Sequence, residues 1–176
     1  AAKGAPEAIF DLCHLGDRVS SALTTQVVDL AAQGLRVLAV AKSHFQPGQL
    51  PDGQHAFPFT YLGMIGFADP VRPDAAAAIH ECRTAGIRVV MITGDYPATA
   101  QNIARQIRLS DSEMVLTGSE IAALPANERD AKIQSTSVFA RVVPDQKLQI
   151  VESLKAGGEI VAMTGDGVND APALKA

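Results

Sequence analysis

No stretch of this 176-residue sequence approaches the ~18 consecutive apolar residues that a membrane-spanning helix needs. Apolar runs such as Tyr61 to Ala68 are too short, and the opening Ala-Ala-Lys-Gly is followed by no apolar segment of the kind a secretory leader carries. Cysteine is scarce. Cys13 and Cys82 are the two present, too far apart to suggest a disulfide framework and without metal-ligand spacing, so a reducing compartment is expected. Basic charge is not in excess: the formal net charge is -4, which argues against a general nucleic-acid binder. The four histidines, His14, His44, His55 and His80, show no ligand spacing.

What is present is an ordinary globular composition, 47% hydrophobic and 19% charged. A chain of this length buries roughly 70% of the surface it exposes when unfolded, enough for one domain or one and a half. The first residues already sit in a motif and the last, Ala173 to Ala176, stop inside a helical pattern, so the sequence reads as a piece of a longer chain.

Two textures divide it. In residues 1–68, Leu23, Val27, Leu30 and Ala31 recur at helical spacing and Gly34 follows as a stop. Leu35 to Ala41 and Phe59 to Phe67 read as strands, separated by a loop over Gln46 to Pro58 that holds three prolines and two glycines. At Asp69-Pro70-Val71-Arg72-Pro73 the closely spaced prolines forbid regular structure, and the segment reads as an inter-domain hinge. In residues 69–176 strands and helices alternate. Strands are expected at Ile87 to Thr93, Met114 to Thr117, Val138 to Val142 and Ile160 to Thr164. Helices are expected over Asp74 to Ala85, from Pro97 on, over most of Ser119 to Ser135, and through Lys147, Val151 and Leu154 to Gly157. Such alternation predicts a parallel sheet covered by helices on both faces, with ligands beyond the carboxyl ends of its strands.

One pattern occurs there twice. Val89 to Asp95 and Ile160 to Asp166 are each an apolar strand ending in Thr-Gly-Asp: Thr93-Gly94-Asp95 and Thr164-Gly165-Asp166. Each sets a hydroxyl, a backbone that a phosphate can approach closely, and a carboxylate at a strand end. The second copy continues through Gly167-Val168-Asn169-Asp170-Ala171-Pro172, so Asp166, Asn169 and Asp170 cluster as oxygen donors of the kind magnesium prefers. Phosphoryl transfer needs such a cation against the charge of the moving group. Lys147 falls in the first turn of a helix, where the helix dipole favours anions rather than cations, and a phosphoryl group in front of it would suit it. Lys3-Gly4-Ala5-Pro6-Glu7 and Arg36, a charge inside an apolar strand, are weaker signals; an edge or surface arginine explains Arg36 equally well.

Together, in this order, these segments resemble P-type cation-transporting ATPases across essentially the whole chain, most closely the calcium-pump-like type II branch. The resemblance implies a haloacid-dehalogenase-like Rossmannoid α/β sheet over 69–176, the phosphorylation domain, and the C-terminal part of an α+β nucleotide-binding domain over 1–68. It implies that Lys3 and Gly4 line an adenine pocket, that Arg36 reaches nucleotide phosphate and that Asp69 and Pro70 form the hinge. Thr93, Gly94 and Asp95 would hold an aspartyl phosphate and Lys147 would neutralise its charge. Asp166 and Asp170 would hold magnesium, with Asn169 organising the site. ATP, magnesium, a transported cation, the actuator domain and membrane helices of an integral parent protein are the implied partners, with this segment on the cytoplasmic side of the cell membrane.

The phosphorylated aspartate of that family, in Asp-Lys-Thr-Gly-Thr, is missing, and with it the central strand of the sheet. The chain alone is therefore expected to be inactive, and the strands ending at Thr93 and Thr164 are expected to pair directly or to accept another segment. A self-contained phosphohydrolase of the same superfamily and a non-catalytic nucleotide-binding module are the alternatives. The transported ion cannot be read from these residues.

Overall fold

The structure is a computed structural model, and it describes residues 1–44, 48, 50–68, 70–109, 114–165 and 170–175. The chain forms two compact units, Ala1–Pro70 and Val71–Ala176.

The first unit contains β1 (Ala2–Gly4), α1 (Pro6–Leu12), α2 (Asp17–Ala32), β2 (Leu35–Lys42), a 3-10 turn at Gln54–Ala56 and β3 (Thr60–Ala68). Its sheet is antiparallel in the order β1-β2-β3, with Lys3 opposite Val40, Leu38 opposite Ile65 and Arg36 opposite Phe67. Gly34, at φ 83°, makes the left-handed turn between α2 and β2 that a side chain would resist. Along β2 the residues alternate between faces. Ala39 and Ala41, wholly buried, lie under α1 and α2 beside Ile9, Phe10, Val27 and Ala31. Arg36, Leu38 and Val40 occupy the opposite face, together with Lys3, Ile65 and Phe67, and there Ile65 and Phe67 stay about half exposed at 48%.

The second unit contains α3 (Ala75–Thr84), β4 (Met91–Ile92), α4 (Pro97–Gln106), β5 (Leu116–Thr117), α5 (Gly118–Ala123), α6 (Ala126–Ser135), β6 (Val138–Ala140), α7 (Pro144–Ala156) and α8 (Ala171–Lys175). Its sheet is parallel, in the order β4-β6-β5. The central strand, β6, is buried along its whole length, as a strand covered on both faces must be. Val138 and Ala140 face Ala100 and Ala104 of α4. Phe139 points the other way, into a cluster with Ile121, Ile133, Ile150 and Leu154 from α5, α6 and α7 and with Val142 between β6 and α7. This two-sided burial makes β6 the rigid frame on which the neighbouring loops are mounted.

Two expected strands differ from what forms here. The segment Ile160 to Thr164 forms no strand and joins no sheet: Ile160 is fully exposed at 102%, and Val161 alone is packed against the Phe139 cluster. Direct pairing between this segment and β4 does not occur among the described residues. The apolar run Ile87 to Thr93 likewise pairs only at its end. Ile87 is 57% exposed and Met91–Ile92 alone is strand, because β6, the partner that supplies the ladder, is itself three residues long. Ser119 to Ser135 is mostly helical, as expected, in two helices: α5 ends before Pro125, which cannot continue a helix interior, and α6 begins after it.

Candidate functional site

The carboxyl ends of β4 and β6 are joined by a short ladder of backbone hydrogen bonds. The Thr93 amide donates to the Phe139 carbonyl at 2.9 Å, the Val142 amide to the Thr93 carbonyl at 3.1 Å, and the Arg141 amide to the Asp95 carbonyl at 3.0 Å. The loop Thr93-Gly94-Asp95 is therefore fastened to the exit of β6. Inside it the Asp95 amide donates to the Thr93 hydroxyl at 3.0 Å, and that hydroxyl donates to Asp95 Oδ2 at 3.1 Å. Gly94 stands exposed, and a Cβ there would meet only the Val142 carbonyl oxygen, at 3.9 Å. Its backbone is open to a ligand.

Arg141 takes the left-handed conformation, φ 53°, unusual for a residue with a side chain, and lays its guanidinium 4.9 Å over the Tyr96 ring. Neither Arg141 nor Tyr96 stands out in the sequence as a site residue. Neither a left-handed φ nor a ring contact across 45 positions leaves a periodic signal. The turn at Arg141 brings the chain round into α7, whose first turn carries Lys147.

Lys147 meets Asp170 there, Nζ to Oδ1 at 2.5 Å, with the two side chains only 15% and 11% exposed. A lysine at a helix N-terminus is disfavoured by the dipole, and an adjacent carboxylate compensates. Asp170 also lies tight on Gly165, where a Cβ would fall 2.7 Å from Asp170 Oδ2. Thr93, Gly94, Asp95, Lys147 and Asp170 thus all stand beyond the carboxyl ends of the second unit's parallel strands or on the segments that leave them. Asp166 and Asn169 lie outside the described residues, as does Asp69 of the hinge.

Asp170 offers the hard oxygen that magnesium binds, and Gly165 keeps the approach to Oδ2 clear of side-chain carbon. That donor chemistry fits the ion. Among the described residues no group of three or more His, Cys, Asp or Glu side chains is arranged to hold a metal.

In the first unit, Lys3 and Arg36 share the open sheet face, four positions of β2 apart in register, or roughly 13 Å along the strand. Lys3 and Gly4 also line a cleft of about 740 Å³ with Asp11, His55, Phe57 and Phe59, a cleft that Arg36 does not reach. The cleft's phenylalanines were not anticipated from the sequence, since the loop that carries them has no periodicity.

Residues 10–176 match the family model of the haloacid dehalogenase-like hydrolases. The chain belongs to this family. It is also 43% identical to a cation-transporting ATPase, pma1, of Synechocystis over 98% of its length, which is 20% of that protein. It is 42% identical to the probable cation-transporting ATPase F of Mycobacterium bovis over 99% of its length and 21% of that protein. Against a calcium-transporting ATPase of Bacillus subtilis it is 47% identical over 83% of its length and 17% of that protein. The similarity to P-type cation-transporting ATPases read from the motifs thus extends along nearly the whole haloacid dehalogenase-like chain, which spans about a fifth of the length of these relatives. No helix among the described residues is long and apolar enough to cross a membrane.

Proposed function

We propose that this chain forms part of an ATP-driven cation pump, in which residues 69–176 handle a phosphorylated aspartate and residues 1–68 help hold the nucleotide. The observation that carries the reading is the junction at the carboxyl ends of β4 and β6. There a hydroxyl and an open glycine amide at Thr93-Gly94 are stitched to the strand exit that leads into Lys147. The glycine amide suits an equatorial oxygen of a phosphoryl group, the Thr93 hydroxyl would join it on turning its one proton away from Asp95 Oδ2, and Lys147 supplies positive charge once Asp170 yields it. Preorganised donors of this kind lower the barrier because they need no rearrangement as charge shifts.

Asp166 and Asp170 would hold magnesium, which adds positive charge against the phosphoryl oxygens. Asn169 would orient these carboxylates, and Asp95 would hold the Thr93 hydroxyl in place. On the first unit, the base would lie toward Lys3 and Gly4 and the phosphates toward Arg36; the ~13 Å of strand between their register positions is of the length of an extended nucleoside triphosphate. Asp69 and Pro70 would serve as hinge. Calcium is the transported ion favoured by the resemblance and by the name of the Bacillus relative. The parent protein would sit in the cell membrane with these residues on its cytoplasmic side.

With no aspartate in an Asp-Lys-Thr-Gly-Thr setting, the chain alone has no acceptor for covalent catalysis. Incubation with γ-labelled ATP and magnesium followed by an acid gel should leave it unlabelled, while the full-length parent should be labelled and its Asp166→Asn variant should not. A labelled band at 18.4 kDa would overturn the assignment, and turnover of p-nitrophenyl phosphate by the chain would favour a self-contained phosphohydrolase instead.

A further inference from the structure

Lys147 is held from one side by Asp170, but the turn that carries it is held from the other side by its neighbour. The Gln146 carboxamide spans two elements. Its Oε1 accepts from the Val143 amide, at the start of α7, at 3.1 Å, and its Nε2 donates to the Gly118 carbonyl at 2.8 Å. Gly118 is buried at the corner where β5 passes into α5. A Cβ on Gly118 would collide with both Gln146 Oε1 and the Arg141 carbonyl oxygen. Glycine at 118 is thus what lets the first turn of α7 and the turn at Arg141 close onto this corner.

The first of the two bonds is an ordinary helix N-terminal cap, satisfying an amide that has no partner within the helix. The second is not. It ties the start of α7 to an element 28 positions earlier in sequence, on the far side of β6 from the Thr93 loop. We propose that Gln146 is a positioning residue for Lys147, its carboxamide locking the first turn of α7 against Gly118 so that the ammonium stays aimed at Asp170 and at whatever anion displaces it. Any role in phosphoryl transfer rests on the function proposed above; the positioning itself does not.

The discriminating substitution is Gln146→Glu. A carboxylate can still accept from the Val143 amide and is favoured at a helix N-terminus, so the cap survives. It cannot donate to the Gly118 carbonyl, so the bridge is lost. Gln146→Met removes both bonds at similar length. On the chain itself, below its melting transition, the exchange rate of the Lys147 ammonium protons with water is measured by ¹⁵N-resolved NMR, and Lys132 and Lys155 serve as internal references. Exchange at Lys147 should quicken by about fivefold or more in both variants, with the reference lysines unchanged. Wild-type exchange in Gln146→Glu would overturn the proposal, because the cap alone would then suffice. If Gln146→Glu does not fold, Gln146→Met and the wild type decide it. A Gln146 side-chain NH₂ that exchanges in the wild type as fast as a solvent-exposed amide would also overturn it. None of these readouts depends on phosphorylation, so a chain that proves not to come from a pump leaves the test intact. In a full-length parent, both variants should weaken phosphorylation from inorganic phosphate about fivefold and leave apparent nucleotide affinity unchanged.

Discussion

Removing Asp170 tests the centre of the candidate site. In Asp170→Ala, Lys147 would keep its position in the first turn of α7 but lose the carboxylate that stands 2.5 Å away. At that distance and an effective dielectric constant of about 20, the bare attraction is about 7 kcal/mol, most of it offset by the cost of desolvating both groups. Breaking a buried pair from one side typically costs about 3–5 kcal/mol, since the surviving charge is left uncompensated. Exposures of 15% and 11% admit some water, so about 2–4 kcal/mol is expected here. For a unit of this size that is a fall in melting temperature of about 8–15 °C. The sequence has two tyrosines and no tryptophan, and Tyr61 and Tyr96 fall in different units. In a Tyr61→Phe background, Tyr96 fluorescence therefore reports on the second unit alone, which avoids blending two transitions. The double variant Asp170→Ala/Lys147→Met should recover most of the loss, because it leaves no orphaned charge. A shift under about 2 °C in the single variant, or no recovery in the double, would refute the reasoning.

The two glycines near the site should separate packing from function. Gly118→Ala should destabilise the second unit by about 1–3 kcal/mol in denaturant titration, since one of the colliding atoms is a backbone carbonyl that cannot swing away. Gly94→Ala, with only an ordinary contact at 3.9 Å, should change stability by less than about 0.5 kcal/mol yet impair phosphoenzyme formation in a full-length parent. At the start of α5, Thr117 and Glu120 form a reciprocal cap, with the Thr117 amide donating to Glu120 Oε2 at 2.8 Å and the Glu120 amide to Thr117 Oγ1 at 3.3 Å. Thr117→Ala should cost about 1 kcal/mol. The bonds from the Thr117 side chain and backbone hold the Glu120 carboxyl below its usual range. The carboxylate's part of the cap is therefore complete above the carboxyl's unfolded pKa and is lost as pH falls through the lower folded value, while the Glu120 amide bond to Thr117 Oγ1 persists. The gap between wild type and Thr117→Ala should narrow on acidification, as a pH series of melting curves would show.

The sequence made the second unit's parallel alternation legible because β6 and its covering helices are buried on opposite sides, and such burial writes a pattern of apolar residues. Val138 to Ala140 and the α7 face at Ile150, Val151 and Leu154 follow it directly. The same logic misled at Ile160 to Thr164. An apolar run tells that a segment suits a buried strand, but a strand exists only where a neighbour supplies its hydrogen bonds. Here the run has no such neighbour among the described residues, and Ile160 stands in solvent. The site shows a comparable split. Thr93, Lys147 and Asp170 could be singled out by residue type and position, whereas Gln146, Gly118 and the left-handed Arg141 could not, because their roles consist of contacts between distant segments.

Those contacts also explain how a site can be assembled at the ends of strands only two or three residues long. Such short ladders contribute few backbone bonds, so the precision of the loops beyond them cannot come from the sheet alone. It comes from cross-links between loops. The Thr93 and Asp95 carbonyls are bound to the amides that leave β6, Arg141 packs on Tyr96, and Gln146 bridges to Gly118. The first two links join the Thr93 loop to the segment that runs on into Lys147, and the third fastens the turn before Lys147 to a corner that carries no proposed ligand. Rigidity of the donors is what electrostatic stabilisation requires, so changes at Arg141, Tyr96, Gln146 and Gly118 should act on phosphoryl affinity even though none of these four is among the proposed ligands.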